Sequence, residues 1–184
     1  MVPDTLDTTV PTALLVIDMQ EGFAARDVAL RRLAVDIAEH VYAHVDDYVL
    51  LAASRFRNVP GSLYHRLISQ DMTTDAELRL LPELASIPFD IVVDTCSYSS
   101  LTDELLGRLR AAGVERLVVV GADTDQCVLA TVLAAFDAGI EPIVRIDLCR
   151  SAAGADPHEA GLIALRRAIG EERVIDRDAQ LTHS

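Results

Sequence analysis

Apolar residues along this chain come in short unbroken runs separated by stretches of helical spacing. The runs ALLVID (13–18), YVLLAAS (48–54), FDIVVD (89–94), RLVVVGA (116–122), EPIVRID (141–147) and ERVID (172–176) read as six short strands buried on both faces, rich in valine, isoleucine and leucine. Between the first two, Leu30, Leu33, Ala34, Ile37 and Val41 recur at helical spacing; between the third and fourth, Leu101, Leu105, Leu106 and Leu109 do the same. Strands alternating with amphipathic helices predict an α/β fold: a three-layer α/β/α sandwich around a parallel sheet with right-handed crossovers.

Local punctuation sharpens two helices. Asp156 reads as an N-cap, with Pro157 at the first helical position, Glu159 at the third and Gly170 just past the end. A second helix is predicted from a Thr124/Asp125 cap to Gly139, with Ala130, Ala134 and Ala138 forming one small face. The stretch 55–88 mixes turn residues with short apolar pieces and predicts one or two short helices lying over the strand ends, a place where loops often shape a pocket.

Composition narrows the partners. The 184 residues suffice for one core, so a single domain over 1–184 is expected, with 1–10 as an N-terminal extension. A net charge of −13 opposes nucleic acid and anionic membranes. No apolar run approaches the roughly 20 residues of a membrane span, and the start lacks the basic region of a secretory signal, so a cytoplasmic address is expected. Three cysteines, Cys96, Cys127 and Cys149, are too few and too odd in number for a disulfide framework. All 16 basic residues are arginine; the chain contains no lysine.

In an open parallel sheet, ligands bind beyond the carboxyl ends of the strands, near the point where strand order reverses. Asp18, the Asp94/Thr95 pair and Cys127 all fall at such ends. Cys127 sits in the predicted first turn of its helix, where unpaired N–H groups would favour a thiolate and cradle an oxyanion, although Asp123 and Asp125 oppose this. The alternative is a small apolar residue packed on the sheet. Asp18 ends an aliphatic run, so burial would raise its pKa and suit it to accept a proton; otherwise it caps a turn. Arg55 and Arg57 either hold a substrate carboxylate or are solvated surface residues. His40 and His44 stand one helical turn apart, as a solvated face rather than a metal site.

These strings resemble the isochorismatase-like cysteine hydrolases, which include nicotinamidases and N-carbamoyl amidases. ALLVIDMQEGF (13–23) is similar to that family's opening strand, VVVGADTDQCVLATVLAAFDAG (118–139) to its cysteine signature, and DLCRSAAGADPHEAGLIAL (147–165) to its C-terminal segment. The resemblance spans about 11–176 and implies a Rossmann-like sheet ordered 3-2-1-4-5-6. It further implies an aspartate–lysine–cysteine triad, with Asp18 as base and Cys127 as nucleophile, forming a thioester from an amide. A cis peptide would fall at Ala122–Asp123, with Asp123 and Gln126 in the oxyanion region, and Phe23 and Tyr98 would join Arg55 and Arg57 around the substrate. In FDIVVDTCSYSSL (89–101), however, Thr95 stands at the family's lysine position. Nicotinamidases place an aspartate and histidines after strand 2, where this chain reads Arg55-Phe56-Arg57-Asn58, so no metal and no other cofactor are expected.

The expected function is hydrolysis of a small amide or related carbonyl compound, weakened by the missing lysine. The alternatives are isochorismatase-type vinyl-ether hydrolysis and a catalytically impaired member that only binds its ligand. The partners expected are a small-molecule substrate and, given the apolar composition and the small helix face, further copies of the chain in a dimer or tetramer.

Overall fold

A computed structural model describes residues 9–176. The expected extension over 1–10 lies outside the described residues except for Thr9 and Val10. Six strands, β1 (Thr12–Ile17), β2 (Leu50–Phe56), β3 (Ile91–Thr95), β4 (Arg116–Ala122), β5 (Glu141–Arg150) and β6 (Val174–Ile175), form one sheet in the order β3-β2-β1-β4-β5-β6. Every pairing is parallel. The order reverses between β1 and β4, and the two run in register from Thr12↔Arg116 to Ile17↔Gly121.

Among the described residues, seven α-helices flank the sheet: α1 (Glu21–Ala24), α2 (Ala29–His44), α3 (Leu63–Leu67), α4 (Asp75–Leu78), α5 (Asp103–Ala111), α6 (Leu129–Asp137) and α7 (Ala155–Ile169). Strand alternation sorts the core into two layers. Leu14 and Val16 of β1 meet Leu30, Leu33, Ile37 and Val41 of α2 on one face. Ala13, Leu15 and Ile17 meet Leu105, Leu109, Val132, Leu162 and Leu165 of α5, α6 and α7 on the other. Burying continuous aliphatic strands on both faces is the main driving force for this arrangement.

Several boundaries differ from the sequence expectation. Strand β5 continues to Arg150, with a register shift against β4 between Val119 and Gly121. Helix α7 starts at Ala155 with Gly154 as its cap, at φ 112°, so Asp156 lies inside the first turn rather than capping it. Glycine reaches that left-handed conformation without a Cβ clash and displaces the aspartate from the cap. Thr124 and Asp125 do not cap a regular helix either. Residues Thr124–Val128 form a wide turn in which Val128 N–H reaches back five residues to the Asp123 carbonyl (3.1 Å), and the Thr124 hydroxyl pairs instead with His158 Nδ1 (2.8 Å). This turn adds a residue before α6, whose inward side chains are Thr131, Val132 and Ala135, while Ala130, Ala134 and Ala138 are only partly covered. Gly161 of α7 rests directly on the wide turn: a Cβ there would stand 2.8 Å from Asp125 Cα.

Over the strand ends lie α3, α4 and a single-turn helix at Pro82–Leu84. Helix α4 opens with a capping box between Thr74 and Glu77, which holds the Glu77 carboxyl down at about 2. Gln20, fully buried, fastens this layer to the sheet. Its amide donates to the carbonyls of Phe56 and Leu78 (both 3.1 Å) and accepts from Phe56 N–H (2.8 Å). His40 is bonded rather than merely solvated, its Nε2 lying 2.7 Å from the Tyr48 hydroxyl. Among the described residues, no helix is long and apolar enough to cross a membrane.

Candidate active site

The carboxyl end of β1 turns sharply at Asp18, whose φ of 53° is a left-handed value that aspartate tolerates better than most residues. The turn sends its side chain inward between β2 and β4, where it is completely buried. Ser54 of β2 donates its hydroxyl to Asp18 Oδ1 (2.7 Å) and accepts from Asp18 N–H (3.3 Å). The other oxygen, Oδ2, is buried and has no hydrogen-bond partner among the described residues. Burial raises the Asp18 pKa to about 6, against the opposing effect of Ser54 and the Cys127 thiol; nearby Asp123 adds to the rise.

Cys127 sits in the wide turn after β4, its thiol beside the Asp18 carboxyl. Burial pushes the thiol pKa well up, the Asp18 and Asp123 charges push it further, and only the Asp123 backbone N–H acts the other way. The thiolate-favouring helix terminus expected from sequence is therefore outweighed, because the sulfur is buried and carboxylates face it. The resting pair is a thiol next to a carboxyl able to take its proton.

The peptide bond Ala122–Asp123 is cis. The Asp123 carboxylate accepts from Ala152 N–H (2.7 Å), tying the loop after β5 to the nucleophile turn, and burial raises its pKa. A cavity of about 190 Å³ opens over Cys127. Ala122, Asp123, Gln126, Cys127 and Ala152 form its floor, and Phe23, Phe56, Tyr64, Ile68, Tyr98 and Arg26 its walls. The rings are contiguous, with centroids 6.3 Å apart for Phe23–Phe56, 4.6 Å for Phe56–Tyr64 and 6.0 Å for Tyr64–Tyr98. Four of the chain's eight phenylalanines and tyrosines thus converge on this cavity.

Asp18, Ala122, Asp123, Gln126, Cys127, Phe23 and Tyr98 are brought together; Arg55 and Arg57 are not. Their guanidinium groups turn to Asp94, at 2.7 and 3.8 Å, outside the cavity lining. The reason is the alternation of β2: Phe56 faces the cavity, so both flanking arginines face away from it. The cation at the mouth is Arg26, which pairs with Asp71. Thr95 is buried, with its hydroxyl engaged inside its own turn, accepting from Ser97 N–H (3.2 Å) and donating to the Ser99 carbonyl (3.1 Å).

Sequence reasoning missed Ser54, Ser100, Gln20, Tyr64 and Arg26. Ser54 carried a signal, as the polar residue near the end of an otherwise aliphatic run, the same pattern that singled out Asp18. Tyr64 and Arg26 carried none, since only the fold brings α3 and the end of α1 over β4.

The end of β2 does not suit a metal. Phe56 is buried there against Tyr64, and the Asn58 amide donates to the carbonyls of Ser69 (2.7 Å) and Asp71 (2.9 Å). No group of three or more histidine, cysteine, aspartate or glutamate side chains is placed to hold an ion among the described residues. A larger cavity, about 430 Å³, lies between α2, α7 and the end of β5. Its charged groups are already paired, Arg32 with Asp36 (3.0 Å) and Arg150 with Asp27 (2.6 Å). Its cysteine, Cys149, is buried with a pKa pushed up to about 12. Of these two cavities, the one over Cys127 places a thiol beside a buried carboxyl.

A parallel sheet with a buried carboxyl and a cysteine meeting at its switch point defines a hydrolase-like α/β class. The model of the isochorismatase domain matches residues 12–177, and the chain belongs to the isochorismatase family. Among solved structures, an isochorismatase-like hydrolase from Alkaliphilus metalliredigens superposes with a TM-score of 0.75 at 21% identity, covering 86% of this chain and 92% of the other. A nicotinamidase from Bacillus subtilis gives 0.76 at 21% identity, covering 88% and 97%. A pyrazinamidase from Pyrococcus horikoshii in complex with zinc gives 0.67 at 20% identity, covering 86% and 96%. These likenesses concern the fold. Comparison with curated proteins gave no match.

Proposed function

We propose that this protein is a hydrolase that cleaves a small amide through a Cys127 thioester, with Asp18 as the proton acceptor. The observation that carries the reading is the placement of the Cys127 thiol beside a buried carboxyl whose Oδ2 has no hydrogen-bond partner among the described residues, at the floor of a cavity lined by aromatic rings. On attack, the sulfur bonds to the carbonyl carbon and the thiol proton passes to Asp18 Oδ2. Asp18 then gives this proton to the departing amine. Water attacks the thioester, its proton moves to Asp18, and release of the acid returns that proton to sulfur. The Asp123 N–H facing Cys127 favours the developing oxyanion.

Flat rings on the walls favour a compact planar substrate. The vinyl-ether alternative loses the support that Arg55 and Arg57 would have given it, since both are held by Asp94. Thr95 supplies no charge, so turnover slower than that of a lysine-containing site is expected. We also retain self-association as part of the reading, through the outer face of α6, where Leu133 and Phe136 are exposed; sedimentation equilibrium tests it, and a monomer at micromolar concentration rejects it.

A panel of aliphatic and aromatic carboxamides, carbamoyl compounds and isochorismate, assayed with wild type and Cys127→Ala, tests the reaction. Release of ammonia or amine that disappears in Cys127→Ala supports it. Turnover that survives the substitution rejects the cysteine mechanism, and ligand binding without turnover of any compound leaves the binding-only alternative.

A further inference from the structure

The Asp18 carboxyl is the end of a chain of buried hydroxyls. Ser100 Oγ donates to Ser54 Oγ (2.9 Å), and Ser54 Oγ donates to Asp18 Oδ1 (2.7 Å). Ser100 is itself fixed, its N–H donating to the Thr131 hydroxyl of α6 (2.9 Å). Ser54, Ser100 and Thr131 are all fully buried.

The hydrogen-bond capacity of Ser54 is fully used. A serine hydroxyl has one proton to donate and two lone pairs to accept with. Ser54 Oγ accepts from Asp18 N–H and from Ser100 Oγ–H, so both lone pairs are occupied and its one proton must point at Asp18 Oδ1. Oδ1 is thereby committed as an acceptor, which disfavours placing the carboxyl proton on it while the chain is intact. That proton is left to Oδ2, the buried oxygen without a partner.

We propose that Ser54 is a positioning residue, locked in direction by Ser100, that assigns the two oxygens of Asp18 separate tasks: Oδ1 receives a permanent hydrogen bond, and Oδ2 exchanges the proton with Cys127. In a chain without lysine, the Ser54 hydroxyl is the largest of the neutral groups that favour ionised Asp18, ahead of the Cys127 thiol and the Phe56 backbone. The inference rests on the reading of Asp18 as the proton acceptor. Besides the hydroxyls, the titratable groups facing Asp18 are Cys127 in the wide turn and Asp123 at its start. Both carry negative charge when ionised and then oppose the Asp18 charge, and the Cys127 thiol supports it only while it keeps its proton, so the lasting support is that of Ser54.

The test is the titration of Asp18 itself, followed by carbon-detected NMR of aspartate carboxyls and assigned by loss of the signal in Asp18→Asn. In Ser54→Ala the midpoint should rise by about one pH unit, the usual scale for a lost hydrogen bond to a charged group. Ser54→Thr, which keeps the hydroxyl, should restore it. Ser100→Ala, which frees Ser54 to rotate, should raise it by less. The pH at which Cys127 alkylation by iodoacetamide accelerates should move with the same order of variants. An unchanged Asp18 midpoint in folded Ser54→Ala overturns the proposal. If that variant does not fold, an unchanged midpoint in Ser100→Ala overturns it equally. These readouts need no substrate, so absence of amide turnover would reject the proposed reaction while leaving this titration to stand or fall on its own.

Discussion

Asp18 and Asp94 stand at the same end of the sheet, and their surroundings are opposite. Asp94, on edge strand β3, is exposed and lies between the guanidinium groups of Arg55 and Arg57. Asp18, after central strand β1, is sealed from solvent and held by the hydroxyl of Ser54. A carboxylate clasped by two guanidinium groups suits a fixed corner. A hydroxyl next to a buried carboxyl supports the charge only partly, so the pKa settles at about 6 and the group can both take and return a proton.

The sharpest way to break this contrast is Asp18→Asn, which keeps an acceptor for Ser54 and removes the titration. Hydrolysis should fall by about 10²- to 10⁴-fold. Stability should move the other way. The folded pKa of Asp18 is raised from 3.8 to about 6, so its contribution is fully present below about pH 4 and lost as pH rises through about 6. Wild type should therefore lose on the order of 3 kcal/mol relative to Asp18→Asn between those limits. Urea unfolding at pH 4 and pH 7 measures the difference, and a wild type equally favoured at both would contradict the buried, raised carboxyl.

A smaller effect comes from giving the central site a cation. In Thr95→Lys the turn bonds to Ser97 and Ser99 are lost, and an ammonium enters beside Asp18 and Cys127. Alkylation of Cys127 at neutral pH should accelerate on the order of tenfold. In wild type, exposed Cys96 should label before Cys127, reversing the order that a simple helix-terminus argument gives. Peptide mapping after brief iodoacetamide treatment reads both, and an unaccelerated Cys127 in the variant would show that position 95 does not reach the pair.

The smallest effect belongs to the edge. Arg55→Gln or Arg57→Gln should change stability by less than about 0.5 kcal/mol, because exposed ion pairs contribute little, and should leave turnover unaltered. A large loss of turnover in either variant would return those arginines to the substrate.

The strands were legible in sequence because runs such as Leu14–Ile17 and Val118–Val120 can be buried only on both faces of a sheet, whereas their order was implied by the resemblance to the isochorismatase-like hydrolases. The strand-end position of Asp18 and Cys127 followed from the same runs. What escaped was decided by backbone detail. Burial beside Asp18 and Asp123 reversed the expected influence on Cys127, and φ at Gly154 moved the start of α7. Phe56 set the side from which Arg55 and Arg57 were excluded, but only the depth of the cavity over it tells inside from outside. Hydroxyl chains leave little trace in a sequence, since a buried serine and a surface serine are spelled alike.

The seat of Gly161 against Asp125 has a practical consequence for anyone altering this protein's specificity. The backbone carrying the sulfur is backed by helix α7 with no room for even a methyl group, so Gly161→Ala would have to displace the nucleophile turn to be accommodated. Randomised libraries should leave that contact untouched and draw their diversity from Phe23, Tyr64, Ile68 and Tyr98. Those side chains line the opposite wall, on short helices and loops whose adjustment leaves the sulfur where it is.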